Sequence, residues 1–431
     1  MVLFINNKDM WRIISYLIAG IVTSFYFFPI GFTFLPSSIN TKMILAVIGI
    51  ILAGYECVRR QRIIMPKGLL VATFIAAIFS LICFYSTDIN HTTDYAYANY
   101  IVSFCVWLGG AYTVCTIIRS IHGHVNFRLL TIYLTAVCFS QCIAAMMIDN
   151  IPAFKLFVDA YVDQGQKFFE DVDRLYGIGA ALDPAGVRFS LVLVMIAGLL
   201  SHDEITRQGS FSIIILLIAF FVIIVIGNAI SRTTILGLGA AIVYFIVSSV
   251  LFRVFIKYDS IKLWALFSIL LIVAIVTSVY LYNQNGAFHE QMRFAFEGFF
   301  NWVEKGEWRT SSTDKLNREM WIWPEDQRTW LIGSGLFDNF VYSTDIGYCR
   351  FILYCGLIGF SVFAFLFVYL GAMFSFQQPK YRIMFIIFIL ITFVFWFKVA
   401  TDIFFLYALF FCIDEFVVIN EKEEISYENN I

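Results

Sequence analysis

Five ionisable residues stand at the edges of long apolar runs of the chain. They are Arg174, Arg188, Arg232, Asp345 and Arg350. Charged side chains are costly in apolar surroundings, so residues in such places are functional candidates by default. A guanidinium group binds phosphate through parallel hydrogen bonds, and a carboxylate can take the proton of a hydroxyl group. The pattern therefore predicts a site that holds an anionic group beside a general base.

Arg232 lies in a polar interruption between two apolar runs, in the segment GNAISRTTILGLG. The interruption must turn the chain, and Asn228 and Ser231 are suited to cap the helix that follows. An arginine in that turn can present its guanidinium group to a phosphate. The alternative is an interfacial arginine whose stem covers apolar surface while its charged head reaches water.

Arg174 and Arg188 bracket the segment DRLYGIGAALDPAGVRFS. Within it, Asp183 and Pro184 are typical of a helix start, as the N-cap and the first helical residue. Both arginines are candidates for binding an anion near that start. The alternative is an ion pair with one of the nearby acids, which are Glu170, Asp171, Asp173 and Asp183.

Asp345 precedes an apolar run, directly after Ser343 and Thr344. All three residue types are good N-caps, so one alternative is that Asp345 caps the helix that follows. The other is a general base whose pKa is raised by burial and lowered by nearby arginines. If Asp345 is only a cap, Asp338 or Asp402 would have to take the proton.

Lys398 and Asp402 are four residues apart near the end of the chain's last apolar runs. On a helix, this spacing places two side chains on one face. A structural ion pair between them is therefore predicted.

The composition identifies the class of protein. Of 431 residues, 60% are apolar and 14% charged, whereas a soluble protein has about 25% charged residues. A polytopic membrane protein is therefore predicted. The net charge of −2 excludes a nucleic-acid binder that acts through a basic surface. The cysteines lie within apolar runs without a CxxC pair, and HExxH is absent, so no metal site is predicted.

Apolar runs set the expected architecture. A helix needs about 20 apolar residues to cross a bilayer core. Twelve runs approach this length, at about 11–30, 43–58, 68–86, 97–118, 129–148, 185–201, 211–227, 233–252, 263–282, 346–374, 383–398 and 402–419. An all-α membrane protein with about twelve spans is predicted.

Two long segments interrupt the spans, at 149–184 and 283–345. The expected organisation is N-terminal helices in 1–148, a first large loop in 149–184, central helices in 185–282, a second large loop in 283–345, and C-terminal helices with a tail in 346–431. Long loops in a compact protein are usually functional.

Basic residues give the orientation. Alternate short loops hold Lys8, Arg12, Arg59, Arg60, Arg62, Lys67, Arg119, Arg128, Arg207, Arg253, Lys257, Lys262, Lys380 and Arg382. The other short loops hold little beyond Lys42, Arg232 and Lys398. Cytoplasmic loops carry the excess of Lys and Arg. Both termini are thus predicted to be cytoplasmic, and both long loops extracytoplasmic.

Four short motifs occur in order along the second half of the chain. They are Arg232-Thr-Thr-Ile-Leu236, Arg318-Glu-Met-Trp321, Gly333-Ser-Gly335, and Asp345-Ile346 followed after nine residues by Gly356-Leu-Ile-Gly359. Together they resemble the membrane O-antigen polymerase and O-antigen ligase superfamily over about residues 170–415. Aspartate stands at position 345, where histidine is common in that superfamily.

The resemblance implies an architecture like that of GT-C glycosyltransferases and a metal-independent, inverting glycosyl transfer without a cofactor. It implies undecaprenyl-diphosphate-linked glycan as donor and acceptor, a chain-length regulator as partner, and the periplasmic face of a bacterial inner membrane. Asp345 and Arg232 would be catalytic. The substrate would be bound by Arg174, Arg188, Arg232, Arg318 and Arg350.

Two other functions remain open. A ligase that transfers the finished glycan to an acceptor lipid would share the fold and the chemistry. A transporter or flippase of lipid-linked oligosaccharide would use the arginines for binding alone. The long second loop favours an enzyme, and so does the lack of an evident internal repeat, a feature of many transporters.

Overall fold

The computed structural model describes residues 7–61, 65–165, 174–248, 258–337 and 341–414. Several residues named above fall outside these ranges: Arg62, Glu170, Asp171, Asp173, Arg253, Lys257 and Asp338. The described chain is almost entirely helical.

Helices follow one another closely along the chain, with two short strands in its first part. That part forms α1 (Asn7–Phe27), β1 (Gly31–Phe32), α2 (Thr41–Arg60), α3 (Lys67–Ile89), α4 (Tyr100–His122), α5 (Phe127–Asn150), α6 (Pro152–Tyr161) and β2 (Val162–Asp163). The central part forms α7 (Leu182–His202), α8 (Glu204–Gln208), α9 (Ser210–Ile230), α10 (Thr234–Ser248) and α11 (Tyr258–Gln284). The last part forms α12 (Gly286–Ala295), α13 (Glu297–Lys305), α14 (Ser311–Glu319), α15 (Gln327–Ile332), α16 (Gly347–Gln377), α17 (Arg382–Phe395) and α18 (Phe404–Phe410).

Within the described ranges, nine helices are long and apolar enough to cross a membrane, namely α1 to α5, α7, α9, α11 and α16. The prediction of an α-helical, multi-pass membrane protein is confirmed. The runs expected at 233–252, 383–398 and 402–419 coincide with shorter helices of 15, 14 and 7 residues.

The chain divides into two compact units made of separate segments. The first comprises Met1–Pro66, Cys105–Ala180 and Phe404–Ile431, and the second comprises Lys67–Phe104 and Ala181–Ile403. In the first unit α1 packs on α2 and α5, and β1 pairs with β2 in antiparallel register. The Tyr26 hydroxyl donates to the Phe405 carbonyl at 2.6 Å, which ties α1 to α18.

The second unit is built around α7. Nearly every residue of this helix from Ala185 to Leu200 is buried, and it packs against α9, α10 and α17. At the crossing with α10, a Cβ on Gly237 would lie 2.2 Å from the Cα of Ser190. Small residues allow such close approach of helices in an apolar environment, so α7 and α10 form a rigid pair.

The second long segment, predicted only as a loop, is largely helical. It contains α12 to α15, and α15 packs against α16. Ile346, Cys349 and Leu353 form a buried cluster at the start of α16, and Leu316 of α14 packs against it. The segment is therefore folded, and it packs against α16.

Candidate functional site

The candidate site is in the second unit, where α7 begins. The helix starts at Leu182 after Ala181, which makes no side-chain cap. The predicted N-cap role of Asp183 is therefore wrong. Its Oδ1 instead accepts hydrogen bonds from the Thr233 hydroxyl at 2.5 Å, the Ser231 hydroxyl at 3.0 Å and the Lys398 ammonium at 2.8 Å. The Asp183 carboxylate thus accepts hydrogen bonds from residues that are distant in the sequence, and it does not cap its own helix.

Lys398 completes this network. Its Nζ contacts Asp183 at 2.8 Å and the Thr233 hydroxyl at 3.0 Å. The predicted pair with Asp402 is wrong, because the chain between α17 and α18 is not helical and the four-residue spacing does not place the two side chains on one face. Lys398 instead joins the end of α17 to the start of α7.

Arg232 occupies the turn between α9 and α10, and Asp183 holds the residues on both sides of it, Ser231 and Thr233. The turn is also fixed to α7 by Ser190, whose hydroxyl donates to the Thr233 carbonyl at 3.0 Å. A Cβ on Gly186 of α7 would lie 2.5 Å from the Ser231 hydroxyl oxygen. The backbone that carries Arg232 therefore has little freedom.

The guanidinium group of Arg232 contacts the folded long segment. Nη1 lies 2.7 Å from Oε2 of Glu297, and the pair is mostly buried, with side-chain exposures of 14% and 25%. Nη1 also donates to the Ser312 hydroxyl at 3.2 Å, and the group lies 4.0 Å from the Phe294 ring centroid. Arg232 is thus an ordered, partnered cation rather than an arginine reaching for water.

Asn228 does not cap α10, contrary to the prediction. Its amide nitrogen donates to the Ala295 carbonyl at 2.7 Å, and its buried Oδ1 has no hydrogen-bond partner among the described residues. Ser231 directs its hydroxyl to Asp183. Both side chains hold the turn against neighbouring segments, which local sequence cannot reveal.

Asp345 lies just before α16 and is partly buried. The N-cap of α16 is Ile346, without a side-chain cap, so the capping alternative for Asp345 is wrong. Burial raises the pKa of its carboxyl, and Asp183 adds to this effect. Arg350, Lys315 and Lys398 oppose it, lowering the pKa. Asp345 is therefore within electrostatic reach of the Asp183–Lys398 network.

Arg350 extends from the first turn of α16. It donates to the Phe337 carbonyl at 2.7 Å, and its guanidinium carbon lies 4.0 Å from the ring centroid of the same residue. It also interacts electrostatically with Asp345. Arg350 thus holds the chain that enters α16 and contributes positive charge near the carboxylate.

The remaining arginines differ in position. Arg188 lies on α7 and donates to the Pro184 carbonyl at 2.8 Å, one turn earlier in the helix and next to Asp183. Arg318 is exposed in the last turn of α14. Arg174 belongs to the first unit, in an irregular stretch before α7. Asp402 is partly buried between α17 and α18.

Two features were not predicted from the sequence: Glu297 as the partner of Arg232, and Asp183 as the acceptor of hydrogen bonds from Ser231, Thr233 and Lys398. Glu297 starts a short helix that was not predicted, so no local signal marked it. Within the described ranges, no group of three or more His, Cys, Asp and Glu residues is arranged to hold a metal ion.

The arrangement pairs a carboxylate of raised pKa with several fixed cations. Chemically, it suits removal of a proton beside a developing negative charge. No protein-family model, characterised protein or solved structure matches the chain.

The Asp183–Lys398 pair should be strongly coupled. We expect Asp183→Asn and Lys398→Met each to lower the free energy of unfolding, and the double variant to lose less than the sum. The reason is that either single change leaves a partly buried group without its partner. A coupling energy of roughly 0.5–3 kcal/mol is expected, measured by denaturant unfolding of the purified chain in detergent.

The exposed pair Arg309–Asp314, at 3.2 Å, is the matched control. Its coupling should be about 0–1 kcal/mol, since solvent screens it. Strictly additive losses for Asp183 and Lys398 would show that the pair does not organise the site.

Proposed function

We propose that the protein is a polymerase that joins lipid-linked oligosaccharide repeat units into O-antigen or capsular polysaccharide. The observation that carries the proposal is the grouping of Asp345, whose pKa is raised, with the Asp183–Lys398 network that fixes the Arg232 turn. The motifs around Arg232 and Asp345 are those that resemble the O-antigen polymerase and ligase superfamily.

In the proposed reaction Asp345 acts as the general base. Its carboxylate takes the proton of the acceptor hydroxyl as that oxygen attacks the anomeric carbon of the donor sugar from the face opposite the diphosphate. A new carbon–oxygen bond forms while the bond to the diphosphate oxygen breaks, so the configuration inverts. The bond's electron pair leaves with the polyprenyl diphosphate, which gains one negative charge.

The developing charge on the diphosphate needs fixed cations. Arg232 supplies a planar group with five N–H donors, so it can bind phosphate on one edge while Glu297 holds another. Lys398 and Arg350 add positive charge near Asp345, and Arg188 extends from the adjacent turn of α7. Preorganised charges of this kind favour the transition state because they need not reorient during the reaction.

The proposed setting is a bacterial inner membrane crossed by about twelve spans, with both termini in the cytoplasm. The two long segments, the second of which contains Glu297, would then lie on the periplasmic side. The asymmetry of Lys and Arg between alternate short loops supports this orientation.

Arg232 should be needed for polymer formation. We expect Arg232→Ala to lower polymer synthesis by about tenfold to over a hundredfold, since a lost charge-assisted contact costs roughly 1.5–3 kcal/mol. Arg232→Lys should rescue poorly, because an ammonium group lacks the planar fork. The measurement is the polymer formed in a deletion strain complemented with each variant at matched protein level.

Arg293→Ala is the matched control for Arg232→Ala. Arg293 also pairs with a glutamate, at 2.8 Å from Glu304, and lies over a phenylalanine ring, but it is exposed and outside the site. Polymer should be unchanged in this variant. Normal polymer from Arg232→Ala itself would remove the arginine from the mechanism.

Asp345 should control the acidic side of the pH profile. The base works only when deprotonated, so activity should fall as the pH drops through its pKa. Since burial raises that pKa, the loss should begin at a higher pH than an ordinary aspartate would give. Asp345→Asn should abolish turnover by the purified enzyme, whereas the exposed Asp314→Asn should retain the wild-type profile.

Stability provides a second readout for the same variant. A carboxyl with a raised pKa favours the folded state in its protonated form, and this contribution is lost as the pH rises through the folded-state pKa. Asp345→Asn should therefore be at least as stable as the wild type near neutral pH. An active Asp345→Asn enzyme would assign the proton transfer to another group.

A further inference from the structure

Three tryptophans of the second long segment form one aromatic surface, which we call the tryptophan platform. Trp323 and Trp330 stack with their ring centroids 5.6 Å apart and an angle of 14° between the rings. Trp321 lies 5.7 Å from Trp323 at 34°. Trp321 and Trp323 are 37% and 39% exposed, so the platform is open to the surroundings along part of its length.

The platform is built on a rigid support. Trp330 lies on α15, whose N-cap Asp326 accepts hydrogen bonds from the Thr329 backbone N–H at 2.9 Å and hydroxyl at 2.6 Å. Immediately after α15, a Cβ on Gly333 would lie 2.2 Å from the Tyr354 carbonyl oxygen. Gly333 has a φ of +88°, a conformation that favours glycine. The α15 backbone is therefore pressed against α16 and has little freedom.

The same close approach is visible from α16. Gly356 interrupts that helix with a φ of +67° and a ψ of −179°. A Cβ there would lie 2.2 Å from the Leu331 carbonyl oxygen of α15. Glycines on both sides of the contact thus hold the platform in place before any ligand binds, which reduces the ordering cost of binding.

The platform is joined to the candidate site at two points. The Thr344 hydroxyl, next to Asp345, donates to the Met320 carbonyl at 2.5 Å, and Met320 precedes Trp321. On the other side, the Trp321 ring centroid lies 6.2 Å from that of Phe397, the neighbour of Lys398. The platform is therefore directly joined to the chain segments that carry Asp345 and Lys398.

The surroundings of the platform are polar. Along the chain, the segment between Trp323 and Trp330 includes four exposed polar residues, namely Glu325, Asp326, Gln327 and Arg328. Aromatic rings beside charged side chains provide flat apolar faces next to hydrogen-bonding groups. A pyranose ring has the matching chemistry, with an apolar face of C–H groups and a rim of hydroxyls. Lipid tails would leave these four side chains facing hydrocarbon, which is costly.

We propose that the tryptophan platform is a saccharide-binding subsite that holds pyranose rings of the glycan beside Asp345 and Lys398. The identification of the saccharide as the enzyme's own glycan rests on the proposed function. The platform retains the chain between successive transfers, so its loss shortens the product rather than preventing the chemical step.

The test is binding of glycan to the purified full chain in nanodiscs. The probe is the host's own surface polysaccharide, released from lipid by mild acid, and affinity is measured by titration calorimetry. We expect Trp323→Ala to weaken binding roughly two- to tenfold, the range for losing one aromatic stacking contact. Trp323→Phe should recover part of the affinity.

Trp308→Ala is the matched control, because Trp308 lies in the same segment, is 68% exposed and is outside the platform. The affinity of the Trp308→Ala chain for glycan should equal that of the wild type. Equal affinity of the Trp323→Ala and wild-type chains would overturn the proposal. A second contradicting result would be fluorescence quenching by brominated lipid that decreases in Trp323→Ala, without any response to glycan. That result would assign the tryptophans to the membrane interface.

Polymer length separates this proposal from the polymerase assignment. In cells, Trp323→Ala should shift the polymer to shorter chains while joining continues. If deletion of the gene leaves polymer unchanged but purified protein binds the glycan through Trp323, the function is wrong and the subsite stands. If deletion abolishes polymer and Trp323→Ala binds and elongates normally, the function stands and the subsite is wrong.

Discussion

The candidate site depends on the hydrogen bonds and the ion pair that the Asp183 carboxylate makes. One of its oxygens accepts hydrogen bonds from Ser231, Thr233 and Lys398, which come from two other parts of the chain. Inside an apolar helix bundle such a network is strong when every member has a partner and costly when one is missing. It therefore sets where α7 begins, how the turn before α10 runs and where the chain lies after α17. That turn in turn determines where the Arg232 side chain points.

Charge compensation explains why so many ionisable groups can lie together. Lys398 balances Asp183, and Glu297 balances Arg232. Asp345 is placed near cations, yet burial keeps its pKa raised. The site is thus close to neutral before substrate arrives, and a diphosphate would have to share Arg232 with Glu297. Because Glu297 lies on the folded long segment, the proposed binding of a diphosphate at Arg232 would be linked to the position of that segment.

The sequence predicted features that depend on local pattern. Apolar run length predicted the long helices, and the polar interruption at Arg232 predicted a turn. The positions of Asp345 and Arg350 at the entry to α16 were also predicted. The pairing of Lys398 with Asp183, 215 residues away, could not be predicted. The four-residue spacing to Asp402 offered a nearer partner in the sequence. Likewise, the short helices of the second long segment are stabilised by packing on α16 and by polar links such as Glu297 to Ser311, which no local periodicity encodes.

The glycan made by a strain that lacks this gene distinguishes a polymerase from the alternative functions. Surface lipid should be separated by gel electrophoresis, and polyprenyl-linked glycan extracted from the same cells. If the protein is a polymerase, we expect surface lipid that carries a single repeat unit, with polymer restored by the intact gene. Full-length glycan accumulating on undecaprenyl diphosphate would indicate a ligase, and repeat units trapped on the cytoplasmic face would indicate a flippase. Either of these results, or unchanged polymer, would contradict the assignment.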